Sequence, residues 1–263
     1  MAQDIHPTAL VAPDAQLGAR VTIGPYSVVH PGVVLGEGTF VGAHCELGLP
    51  LGGARPTGAP EGLLIGAGAV IRSGSALYDG SRFGPRFECG HKVTIREHTV
   101  AGENLRVGTL GDIQGDCQFG DFVRLHGNVQ VGKGSRLASF VWIFPFVVLT
   151  NDPHPPSSHC LGVSIDTFAV VGAHSILLPG ITLGAESVIA AGSVVSSCIA
   201  SGQLAGGRPA KVLCPARIVR DKLNPARKAY PWQAVFSRGL PWEGQDYAAW
   251  RARHPDTGFP SIG

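Results

Sequence analysis

The chain has 263 residues, of which 21 are basic and 19 acidic, giving a formal charge of +2; only 15% are charged and 44% are hydrophobic. This balance argues against disorder and against a nucleic-acid partner. No apolar run nears the ~20 residues of a membrane span, and the opening residues lack the basic and apolar regions of a secretory signal. No membrane partner is therefore expected. The six cysteines form no CxxC pair, and such scattered thiols predict a cytoplasmic protein with no metal site.

A six-residue repeat runs through most of the chain, beginning at Ile5 and ending at Val195. Of 28 repeat positions, 25 are Ile, Leu or Val, and the next residue is Gly in 13 cases. A period of six fits neither a 3.6-residue helix nor a simple alternating strand. It predicts an all-β solenoid, with three short strands per coil and about nine coils. We expect the glycines at the corners, which tolerate no bulk and often need positive φ.

Two interruptions predict extruded loops at 48–64 and 150–164. The second contains TNDPHPP, whose prolines cannot join a ladder between coils. The repeat fades near its end, so the sequence predicts a β-helix acyltransferase domain over 1–206 and a CoA-proximal C-terminal tail over 207–263. This short, mixed or helical tail is rich in aromatic and basic residues. We expect it to pack against the prism or a neighbouring subunit.

The hexads IGPYSV, VGAHCE, IGAGAV, VGKGSR, VGAHSI and LGAESV resemble the hexapeptide-repeat acyltransferase family over roughly residues 5–212. The resemblance implies a left-handed parallel β-helix of hexapeptide repeats. It also implies a homotrimer with sites between subunits and an acyl donor carried by coenzyme A or acyl carrier protein. The element GRPAK, which ends the repeat, is typical of the CoA-using members.

Within this family, two branches share features with the chain. The opening looks like the UDP-N-acetylglucosamine O-acyltransferases of the lipid A pathway, but their H-D-C histidine is replaced here by Gly115. The middle and end, including TNDPHPPS, look closer to N-acyltransferases of nucleotide-linked amino sugars such as dTDP-3-amino-3,6-dideoxyhexoses. A hydroxyl needs a positioned base, whereas a neutral amine has its own lone pair.

The leading interpretation is therefore an enzyme that transfers an acetyl or other short acyl group from acyl-CoA to such an amine, for surface polysaccharide. The alternative is an O-acyltransferase of the UDP-N-acetylglucosamine type that uses acyl carrier protein. A non-catalytic prism, and a carbonic anhydrase with histidine ligands from two chains, are further readings that remain open.

Three residues are candidates for catalysis. In the N-acyltransferase branch the Asn-Asp pair, here Asn151 and Asp152, lies at the sugar amino group, where amide and carboxylate can orient an amine. The alternative for both is an Asx-turn. His126 follows the inward Leu125 and should point toward the cleft, either as a base or as an interface histidine.

Substrate and cofactor residues are predicted on outward positions, with a solvated coil face or tail as the alternative for the charged ones. For the nucleotide-linked amino sugar they are Tyr78, His91, Arg96, Glu97 and Trp142. For acetyl-CoA or another acyl-CoA they are Gly172, Ala190, Ala191, Arg208 and Lys211.

Overall fold

The computed structural model describes residues 3–51 and 62–255, which form a parallel β-helix matching the left-handed type predicted from the repeat. The first fifteen strands are β1 (Asp4–Ile5), β2 (Leu10–Val11), β3 (Gln16–Leu17), β4 (Thr22–Ile23), β5 (Val28–Val29), β6 (Val34–Leu35), β7 (Phe40–Val41), β8 (Glu46–Leu49), β9 (Leu64–Ile65), β10 (Val70–Ile71), β11 (Ala76–Tyr78), β12 (Arg82–Phe83), β13 (Glu88–Cys89), β14 (Thr94–Ile95) and β15 (Val100–Ala101).

The later strands are β16 (Arg106–Val107), β17 (Asp112–Ile113), β18 (Gln118–Phe119), β19 (Arg124–Leu125), β20 (Gln130–Val131), β21 (Arg136–Leu137), β22 (Trp142–Ile143), β23 (Val148–Leu149), β24 (Ser164–Ile165), β25 (Val170–Val171), β26 (Ile176–Leu177), β27 (Thr182–Leu183), β28 (Val188–Ile189), β29 (Val194–Val195), β30 (Gln203–Gly207) and β31 (Ala210–Pro215). Two 3-10 turns, Ala216–Ile218 and Trp232–Ala234, precede one α-helix, α1 (Tyr247–Arg253).

Every third strand pairs in parallel, so the coils build three sheets that we call A, B and C. Sheet A starts with β1 and contains 12 strands, sheet B starts with β2 and contains 10, and sheet C starts with β3 and contains 9. The corners between them are named A–B, B–C and C–A in chain order. The prism is longer than the nine coils predicted: sheet A has ten parallel strands from β1 to β28, and β30 begins an eleventh turn.

The core is a stack of aliphatic side chains inside the prism. Each predicted inward position is the second residue of a strand, and nearly all from the second coil onward are buried. Ile5 in the first coil is 37% exposed, because no coil lies below it. The six-residue repeat therefore marks the side chains that pack inside the prism.

The glycines that follow the aliphatic residues correct one expectation. Of the 13, only Gly48 has a positive φ. The rest are small because coils approach closely: a Cβ on Gly36 would lie 2.4 Å from the Ala67 nitrogen. Positive φ occurs later in the turn, often at non-glycine residues such as Tyr26 and Asn128. Close backbone approach, and not left-handed φ, selects glycine at this position.

The C-terminal tail packs on its own prism. Strand β31 pairs antiparallel to β30, and the chain then returns along the C–A corner to an aromatic cluster. There Trp232 donates its indole N–H to the Phe168 carbonyl at 2.8 Å, and Trp242 is 1% exposed. The aromatic residues of the tail thus cover Phe140 and Phe168, which stack at 4.9 Å.

Both insertions leave the prism at the B–C corner, after β8 and after β23. Most of the first, residues 52–61, lies outside the described residues. The second is closed at its base where Leu161 N–H donates to the Asn151 carbonyl at 2.7 Å. Pro153 and Pro155 of the loop line one groove with the outward sheet-B residues Gln130 and Val148, so the loop stands over the outer face of sheet B.

Candidate functional site

A groove on sheet B lies beneath the second insertion and has a volume of about 650 Å³. Its walls include residues of five successive coils and of the loop. Arg96, Lys133, Asn151 and Asp152 all line it, so three predicted site residues come together with a lysine that the sequence pattern does not indicate. We call this the sheet-B groove.

One corner position explains how these residues meet. Glu97, Gly115, Lys133 and Asn151 are each the second residue after a sheet-B strand, in four successive coils. Their side chains therefore form a column, interrupted at Gly115, which has a φ of +89°. A Cβ there would lie 2.9 Å from the Glu97 carbonyl oxygen and 3.4 Å from Glu97 Cδ. The Glu97 side chain occupies the space that a side chain at 115 would need.

Glu97 is a buried carboxylate, with 6% of its side chain exposed. Arg96 binds it through two hydrogen bonds, Nε to Oε2 at 3.0 Å and an Nη to Oε1 at 3.1 Å. This two-point pairing compensates the buried charge. It also fixes the Arg96 guanidinium at the groove wall.

A second charged group at this corner was missed from the sequence. Lys133 bonds to Asp116 at 2.8 Å, and His98 Nδ1 lies 3.2 Å from the same carboxylate. The hydrogen bond from Lys133 lowers the pKa of Asp116, and the same bond raises the pKa of Lys133. The signal was available, because Lys133 precedes Asn151 by 18 residues, which is one coil.

Asn151 and Asp152 differ in their contacts. Asp152 is turned into its own loop: Oδ1 accepts from His154 N–H at 3.1 Å and from the Ser157 hydroxyl at 2.6 Å, and Oδ2 accepts from Ser157 N–H. The Ser157 hydroxyl bond lowers its pKa. These are the contacts of the Asx-turn alternative. Asn151 instead lies over Gly132, where a Cβ would come within 3.2 Å of the Asn151 Cγ.

His126 and His91 lie elsewhere, in a groove of about 450 Å³ on sheet A and the A–B corner. We call this the sheet-A groove. The His126 ring stacks on Phe144 at 4.8 Å, and burial lowers its pKa, which favours the neutral imidazole. Within one chain His126 and Asn151 border opposite edges of sheet B, so they do not form a single catalytic group.

The remaining predicted substrate residues lie outside the two groove linings. Trp142 is half-buried beneath the tail, 5.6 Å from Trp232 and 6.0 Å from His126 between ring centroids. Tyr78 ends β11, one coil below Arg96. Both remain predictions.

The predicted cofactor residues gather at the A–B corner of the last coils. A Cβ on Gly172 would lie 2.6 Å from the Ala191 nitrogen, so these two corners are in contact. Arg208 Nε donates to the Gly192 carbonyl at 2.7 Å, next to Ala191. Lys211 is exposed in β31 on the neighbouring hairpin. The structure therefore brings this set together, although on a different corner from Asn151.

Within residues 3–51 and 62–255, no three His, Cys, Asp or Glu side chains are arranged to hold a metal ion. In the same ranges, no helix has the length and apolarity to cross a bilayer.

The fold and its repeat define a hexapeptide β-helix, and residues 5–48 match the family described as Bacterial transferase hexapeptide (six repeats). The chain is 29% identical over 195 residues to Bifunctional protein GlmU of Xylella fastidiosa, covering 74% of this chain and 35% of that protein. It is 30% identical over 133 residues to the acyl-[acyl-carrier-protein]–UDP-N-acetylglucosamine O-acyltransferase of Brucella ovis, covering 44% of each. The chain thus spans less than half the length of either relative. The solved structure of LpxA from Acinetobacter baumannii aligns with 91% of this chain and 87% of that chain, at a TM-score of 0.49 and 20% identity.

Proposed function

We propose that the chain is an acyltransferase that acts on a nucleotide-linked sugar bound in the sheet-B groove. The observation that carries this proposal is the meeting of Asn151 with Lys133 and Arg96 beneath the extruded loop. Arg96 and Lys133 are each paired with a carboxylate, but their remaining N–H groups can donate to a diphosphate, and an amide can orient the acceptor group. A groove of about 650 Å³ has the size of a ligand site.

The reaction is a transfer from a thioester. The acceptor atom attacks the carbonyl carbon, the carbon–sulfur bond breaks, and the acceptor proton passes to the sulfur of the departing thiol. A backbone N–H of the prism would stabilise the oxyanion. Asn151 would hold the acceptor, while the bonds that Asp152 makes within the loop support a role in fixing the loop over the groove.

Two combinations of an acyl acceptor with an acyl donor fit this proposal. The names of the Brucella relatives favour transfer to a hydroxyl of UDP-N-acetylglucosamine from acyl carrier protein, and this alternative has more support than the amine. Transfer from acyl-CoA to the amine of a sugar such as dTDP-3-amino-3,6-dideoxyhexose is favoured by Gly115, which leaves that corner without the histidine base of the O-acyltransferases. For the second case, Gly172, Ala190, Ala191, Arg208 and Lys211 would bind coenzyme A.

A homotrimer is part of the proposal. His126 and Asn151 border opposite edges of sheet B, so a neighbouring subunit would have to bring the two edges together for both to serve one site. A soluble location in the cytoplasm and a product destined for surface polysaccharide belong to the same proposal.

The test incubates the protein with each combination of acyl donor and sugar acceptor and detects acylated products by mass spectrometry. Acetyl-CoA and acyl carrier protein thioesters are each paired with UDP-N-acetylglucosamine and with dTDP- and UDP-linked amino sugars. Lys133→Gln should raise KM for the sugar nucleotide about tenfold, the value of one charge-assisted hydrogen bond. Lys222→Gln, which removes the same charge from an exposed tail position, should leave KM unchanged. No transfer in any pairing would refute the proposal.

A further inference from the structure

The sheet-A groove contains a column of charge that the proposed function does not use. Strands β13, β16 and β19 are adjacent in sheet A, and their outward residues Glu88, Arg106 and Arg124 lie in register one coil apart. Arg106 and Arg124 are therefore directly opposed on neighbouring strands. Like charges in this arrangement destabilise a sheet, so the pair is costly unless an anion compensates it.

Only part of this charge is compensated by the protein. The Glu88 carboxylate lies 3.2 Å from Arg106 and 3.9 Å from Arg72, which approaches from the A–B corner. One carboxylate thus serves the three arginines that line the groove. The groove wall carries a surplus of positive charge.

The positive charge of Arg124 is not neutralised by its hydrogen-bond partners. Arg124 is 7% exposed, and its guanidinium donates to the Asn104 carbonyl at 2.6 Å, to Asn104 Oδ1 at 2.7 Å and to the Gly239 carbonyl at 3.2 Å. All three acceptors are neutral. Burial, and then the charge of Arg106, lower its pKa to about 10, so it remains a cation at neutral pH.

Arg106 supplies an unused donor. Its Nε is buried and has no hydrogen-bond partner among the described residues, although 43% of the side chain is exposed. A buried donor without an acceptor costs free energy. A bound oxyanion at the exposed part of the Arg106 side chain would offset the opposed charges.

The rest of the groove suits a compact anion. His91, Thr109 and His126 line it together with three corner glycines. Its volume of about 450 Å³ accommodates a diphosphate with part of its organic substituent. We infer that the sheet-A groove binds the diphosphate group of an organic phosphate ester, with Arg72 and Arg106 as direct ligands and Arg124 as a fixed charge behind them.

This site is distinct from the sheet-B groove, so it can be tested by ligand binding without measuring acyl transfer. Isothermal titration of the full chain with pyrophosphate at low salt measures binding, for wild type, for Arg106→Gln and for the control Arg82→Gln. Arg82 is exposed on sheet C and loses the same charge. We expect Arg106→Gln to weaken binding about tenfold or more, and Arg82→Gln to change it less than about twofold because it is remote.

A second measurement separates a ligand role from a structural one. Removing one of two opposed charges relieves repulsion, so ligand-free Arg106→Gln should unfold at the same temperature as wild type or higher. A structural arginine would instead lower it. Absence of pyrophosphate binding to wild type, or equal binding by the two variants, would overturn the inference.

Competition identifies the source of the diphosphate. Both UDP and coenzyme A contain one, and each is titrated into the pyrophosphate complex. Displacement by coenzyme A supports the site and assigns it to the acyl donor. Displacement by UDP also supports the site, and it would move the diphosphate of the sugar nucleotide from the sheet-B groove to this one. Failure of both to displace pyrophosphate would exclude a diphosphate ester.

Discussion

The clearest test of the coil packing compares two glycines of one corner, Gly36 and Gly38. A Cβ on Gly36 would lie 2.4 Å from the Ala67 nitrogen and 2.6 Å from the Gly66 carbonyl carbon. These are backbone atoms of the next coil and cannot move away alone. Gly38 has a φ of +69°, and a Cβ there would meet nothing within 4 Å. The pair therefore separates close approach from left-handed φ.

The two alanine substitutions should differ in cost. Gly36→Ala forces adjacent coils apart and should destabilise by about 3 kcal/mol, at the upper end of the usual overpacking range. Gly38→Ala pays about 1 kcal/mol for left-handed φ, partly offset because alanine reduces the freedom of the unfolded chain. For a chain of this size, 1 kcal/mol shifts the melting temperature by roughly 2–4 °C.

Thermal unfolding followed by circular dichroism, at one protein concentration, measures both variants. We expect Gly36→Ala to melt roughly 6–12 °C below wild type and Gly38→Ala less than about 4 °C below it. An equal or larger loss for Gly38→Ala would refute the reasoning, because it would make left-handed φ the main requirement for glycine.

Three further outcomes follow from the described contacts. Trp242→Ala should release the tail to proteases while the circular dichroism of the β-helix persists, since Trp242 belongs to an aromatic cluster separate from the prism core. Lys133→Gln should raise the pKa of Asp116 toward its ordinary value in a carbon-13 titration. Because its pKa is lowered, the Asp116 carboxylate stabilises the fold above the usual carboxyl range near about pH 4, and this stabilisation is lost as the pH falls. The variant should therefore lose less stability in acid than wild type. An unchanged pKa of Asp116 in the variant would contradict the ion pair with Lys133. Iodoacetamide should label the exposed Cys160 in the native protein but leave Cys89 unmodified, because burial raises the pKa of the Cys89 thiol to about 12; peptide mass mapping distinguishes the two.

The repeat predicts the fold well because inward packing is imposed at every coil. A single period of six identifies the residues that fill the prism, from Ile23 to Val195, and their burial follows directly. The same period could not show why glycine follows the inward residues. Close approach of neighbouring coils and left-handed φ both predict glycine at the same place in the sequence, and only the distances between coils distinguish them.

The candidate site was only partly predictable because it depends on the period of 18, which assigns each residue to a face. Leu47 and Ile65 on either side of the first insertion are 18 residues apart, but the chain advances only from sheet B to sheet C, so counting by six does not show which corner carries Asn151. With the faces known, Lys133 lies one coil below Asn151, whereas His126 lies on another corner. Asp152 was selected for its residue type, but its acceptors are turned into the loop by contacts that spacing does not encode.

Outward positions carry information of a different kind from inward ones. An aliphatic residue inside the prism is explained by packing alone, and one outward arginine is explained by solvent. Arg106 opposite Arg124 is explained by neither, since the arrangement costs stability and leaves the Arg106 Nε without an acceptor. Proteins retain such costs where a ligand compensates them, and for this reason the opposed pair points to a function more strongly than the histidines beside it.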